Sequence, residues 1–143
     1  VKGERPTDDE LCALLRGFFP PVPERVLALG HAAFSWFEPA AALAPLTSET
    51  IAAPSGVRGE GSRLLTFAGA RVSVEIEVCG REIVGQLAPP SAAEVILRSP
   101  GGERGTRTDE AGSFALSGVP AGVVSLLFRL ADATSIVTSW IRV

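Results

Sequence analysis

Asparagine, methionine and tyrosine are absent from this 143-residue chain, and Lys2 and His31 are its only lysine and histidine. Each absence removes a class of chemistry. With one histidine, any His-dependent acid–base or nucleophilic mechanism must run through His31. Its neighbours Ala32, Ala33 and Phe34 supply no nucleophile, so His31 reads as a structural or surface residue. A self-formed isopeptide cross-link needs a core lysine, and Lys2 lies outside the β-rich region. Cysteine is scarce too. Cys12 and Cys79 with a single histidine fall short of a four-ligand structural zinc site, and their spacing fits no zinc pattern. They read as unpaired thiols in a reducing compartment.

Other omissions act on partners. No concentrated basic stretch occurs, and the net charge is -3 with a pI of about 5.2, which disfavours binding to a polyphosphate backbone. No apolar run approaches the roughly 18 residues that cross a bilayer. No charged-then-apolar leader opens the sequence; since it begins at Val1 rather than Met, a leader further upstream is left open. There is no Gly-x-Ser-x-Gly elbow, phosphate loop or dinucleotide fingerprint, and Gly59-Glu60-Gly61 offers two glycines with no helix after them. These omissions point away from an enzyme and from bound cofactors or metals.

What is present is enough apolar material for one good core, with 46% apolar and 20% charged residues. Abundant alanine, glycine, proline and arginine indicate a GC-rich coding source. Thr7-Asp8-Asp9-Glu10 has the form of a capping box. Leu11, Leu14, Leu15 and Phe18 follow at helical spacing until Pro20-Pro21, predicting a helix over about 8–18. Pro23 and Glu24 suit the first turn of a second helix over about 23–43, broken or kinked at Pro39 and carrying Val26, Leu27, Leu29, Phe34, Trp36 and Phe37. Residues 48–62 hold turn-formers without periodicity and read as a connector.

Beyond residue 62 the period changes from helical to alternating. Val72, Val74, Ile76 and Val78 point one way and Arg71, Ser73, Glu75 and Glu77 the other. Breaks then recur every eight to twelve residues, the mark of an antiparallel β-sandwich of about seven strands. The expected organisation is therefore a mainly β protein: a helical segment over 1–47, a connector over 48–62 and a sandwich over 63–143.

Within the sandwich, Ile83-Val84-Gly85-Gln86-Leu87, Ala93-Glu94-Val95-Ile96-Leu97 and the stretch Thr108 to Leu116, followed by Val119-Pro120-Ala121-Gly122, resemble the carboxypeptidase-regulatory-like domain, a transthyretin-like fold. The sequence departs from that pattern in having Val124 where an aromatic is common and in lacking the usual Gly-Tyr pair. The resemblance covers about a third of the chain and implies an accessory or interaction module without naming a ligand. Asp8-Asp9-Glu10-Leu11, Leu14-Leu15-Arg16 and Val22 to Leu27 ahead of a sandwich also resemble small actinobacterial proteins encoded beside extracytoplasmic-function sigma factors. That resemblance implies a cytoplasmic regulator or adaptor in transcription that contacts a sigma factor through its helices. The zinc-type anti-sigma pattern is missing, since no Cys-x-x-Cys accompanies His31.

Three candidate sites follow. Glu75 and Glu77 share a strand face at ~7 Å, as paired carboxylates of hydrolases do, but alternation puts them in solvent. Asp109 and Glu110 supply too few oxygens for calcium, and a turn-capping role explains Asp109. The apolar surplus of the helices, taken as Leu11, Leu14, Leu15, Phe18, Phe34 and Trp36, either packs on the sandwich or a second copy, or docks a protein partner. The leading expectation is a non-enzymatic interaction protein, and the alternative is an extracellular carbohydrate- or surface-binding accessory domain.

Overall fold

The computed structural model describes residues 7–18, 21–27, 40–52 and 61–143. Two compact units divide the chain, Val1–Phe37 and Glu38–Val143. The first contains α1 (Asp8–Phe18), and residues 24–27 are also helical. α1 begins and ends where the capping box and the prolines predict.

Eleven strands run through the described part of the second unit: β1 (Ala41–Ala44), β2 (Leu46–Ala52), β3 (Ser62–Ala68), β4 (Ser73–Cys79), β5 (Glu82–Ala88), β6 (Ala93–Ser99), β7 (Gly102–Arg107), β8 (Ser113–Leu116), β9 (Val123–Leu130), β10 (Ser135–Thr138) and β11 (Ile141–Arg142). The chain is thus mainly β, with helical structure near its start. One sheet has the order β1-β10-β9-β6-β7, with β11 also on β9, and the other has the order β2-β3-β4-β5-β8. Their pairings are antiparallel except that of β1 with β10, which is parallel.

Alternation explains the second sheet. Along β4, Val74, Ile76 and Val78 are buried while Glu75, Glu77 and Cys79 face water. Leu65, Phe67, Ile83 and Leu87 join the buried set and share one core with Val95, Leu97, Leu126 and Phe128 of the first sheet. Phe114 on β8 meets Phe128 on β9 edge to face, ring centroids 5.4 Å apart at 66°. Such a pair adds about 1 kcal/mol beyond the area it buries.

The stretch from residue 40 to 62 corrects the sequence reading. The alanines expected to continue the second helix to Leu43 form β1 instead. Pro39 and Pro45 leave a window too short to nucleate a helix, whatever its alanine content. Both ends of the expected connector are strand: β2 occupies Leu46–Ala52 and β3 begins at Ser62. β2 is exposed along its whole length and so has no apolar alternation to read. Between β1 and β2 the chain passes from one sheet to the other at Pro45. Ser139 N–H donates to the Ala44 carbonyl (3.2 Å), Leu46 N–H to Ser139 Oγ (3.0 Å) and Ala68 N–H to the Pro45 carbonyl (3.1 Å). The β-branched stretch from Ile136 to Val143 takes part in two strands, because the chain leaves β10 after Thr138 and rejoins β9 as β11. Together these additions raise about seven strands to eleven.

Gly85 stands opposite Phe114 and Ile76 in the ladders that flank β5. A Cβ there would run into the Phe114 ring and stand 2.8 Å from Ile76 Cγ2. Gly85→Ala is expected to cost about 1–3 kcal/mol by overpacking. The cost reads as a lower urea midpoint at unchanged slope, and adding Phe114→Leu should restore part of it. An unmoved midpoint would show that the ring has room to retreat.

Candidate interaction surface

α1 is built from both ends. Thr7 N–H donates to Glu10 Oε2 (3.0 Å) and Glu10 N–H donates to Thr7 Oγ1 (3.4 Å), the reciprocal pair of a capping box. Asp8, Asp9 and Glu10 place negative charge at the positive end of the helix dipole, and Arg16 places positive charge at the other. Leu11, Leu14, Leu15 and Phe18 follow the i, i+3, i+4, i+7 spacing and so form one stripe. All four are exposed, Leu14 at 58% and Phe18 at 80%, and α1 buries no residue. Four large apolar side chains on one face of a helix this short are far more than scattered surface residues require.

The turn at 24–27 extends the same character. The Pro23 carbonyl accepts from Val26 N–H (2.8 Å) and Leu27 N–H (3.2 Å), and Val22, Val26 and Leu27 are each about half exposed. Phe34 and Trp36, which the sequence reading added to this surface, lie outside the described residues, as does His31.

The other candidates resolve into structural roles. Glu75 stands between Thr66 and Gln86, and Glu77 between Leu64 and Val84, so both belong to the solvent face of the second sheet without an acidic cross-strand neighbour. Asp109 Oδ1 accepts from Ala111 N–H and Ser113 N–H, both at 2.9 Å, and Gly112 takes the left-handed conformation at φ 77° that closes the turn into β8. Both carboxylate contacts are to backbone, which is the work of a turn cap. Cys12 and Cys79 are exposed and free. Among the described residues no group of three His, Cys, Asp or Glu side chains gathers. No described helix is long and apolar enough to cross a membrane. Three open grooves of about 290, 260 and 420 Å³ lie on the β unit, and none is lined by an aromatic ring.

Two features escaped the sequence reading. Ile96 and Leu127 oppose one another on β6 and β9 and point away from the shared core, yet they are 8% and 0% exposed. Their signal was the unbroken apolar run of each strand, which indicates burial on both faces where strict alternation indicates one. Near them Arg98 is buried and ion-pairs with Glu103 across the β6–β7 ladder at 3.2 Å. The second feature is the turn after β9. There Thr134 donates its backbone N–H (3.0 Å) and its hydroxyl (2.5 Å) to Asp132 Oδ1, holding that carboxyl below the usual aspartate range.

Two measurements check these assignments. Thr7→Ala should remove about 1 kcal/mol from the first turn of α1 and speed amide exchange at Glu10 and Leu11 about fivefold, while Glu10→Gln, which can still reach back, should change it little. For Asp132 the lowered pKa means that the turn is favoured at all pH above the ordinary aspartate value. That contribution fades as pH falls through the lowered one. A carboxyl carbon titration by NMR should place its midpoint below the ordinary aspartate value, and Thr134→Val should bring it back up. No family model, curated protein or solved structure matches this chain.

Proposed function

We propose that this chain is a non-enzymatic interaction protein of the cytoplasm. In this reading the second unit is a β-sandwich of the carboxypeptidase-regulatory-like, transthyretin-like type and acts as a rigid scaffold. The N-terminal unit is the contacting arm, and its partner is another protein, with a sigma factor of the extracytoplasmic-function class the first to test. The chain would then act as a regulator or adaptor of transcription without touching nucleic acid itself.

The observation that carries this reading is the exposed stripe Leu11, Leu14, Leu15 and Phe18 on a helix that opens with a capping box. A helix laid into a partner's groove by its i, i+3, i+4, i+7 residues is a recurring mode of recognition. The fold type is supported by the two sheets with one core and by the Thr108 to Gly122 stretch, where the Asp109 turn leads into β8 and Pro120 and Gly122 lead on to β9. A reducing compartment is supported by two exposed thiols left unpaired.

The test is capture of purified sigma factors by the immobilised chain. Leu14→Asp with Phe18→Asp should lower retention of the captured factor at least about a hundredfold, as loss of two apolar anchors predicts. Far-UV circular dichroism of the double variant should match that of the parent. Retention unchanged in a folded double variant would show that α1 is not the contact surface.

A further inference from the structure

We draw no further inference here: the strongest candidate, the outer edge of β2, where Arg63 holds Glu49 within the sheet, carries nothing because residues 53–60 lie outside the described residues and nothing in the structure shows what covers it.

Discussion

The contact between Phe114 and Phe128 is the constraint on which the β unit depends. It spans the two sheets, and its geometry requires that β5 carry nothing larger than glycine at residue 85, directly under the Phe114 ring. Ile76 and Leu87 of the second sheet and Leu126 and Val95 of the first belong to the same core. Every residue of opposite parity on β4 and β5 is then committed to the solvent face, which is why Glu75 and Glu77 are surface charges. A sheet spacing set by one aromatic pair thus decides what the outer surface can and cannot do.

Local chemistry was the readable part of the sequence. α1 could be placed from Thr7 to Phe18 because both of its ends are marked by side chains with one purpose, a capping threonine and glutamate at the start and two prolines at the finish. The Asp109 turn was readable for the same reason, since the acceptor, the glycine and the plug residue lie within six positions. β4 was readable because one of its faces is wet and the other dry. Where these conditions fail, legibility fails with them. β2 is wet on both faces and β6 and β9 are dry on both along their centres, so none of the three alternates. β1 was misread because alanine's helix preference, a fraction of a kcal/mol per residue, is outweighed when two prolines confine it. Its parallel pairing with β10 joins residues more than ninety positions apart, which no local pattern records.

The candidate surface shows the same division. Periodicity gave the composition of the stripe on α1, but a stripe of leucines and a phenylalanine is as consistent with a buried helix as with a docking one. The structure adds that Leu11, Leu14, Leu15 and Phe18 are exposed. The β2 edge was invisible for a different reason. Its interest lies in backbone groups, which every residue carries, and in what its neighbours lack; it is recognised only by comparing it with β7, β1 and β8 once their positions are known.

These two surfaces differ in what they can discriminate. A helical stripe is read by side chains that fit pockets, so under the proposed function a change at Leu14 or Phe18 would alter which partner is accepted. An edge strand is read chiefly through N–H and C=O groups common to all sequences, and selectivity falls to register, length and the placement of charge. For β2 those three are set by the bulge after Leu46, by the five regular residues that follow and by the Glu49–Arg63 pair. Replacing Arg63 with a neutral residue would leave the backbone edge intact while freeing the Glu49 carboxylate, so the edge would keep its shape and gain the repelling charge that protects other edges.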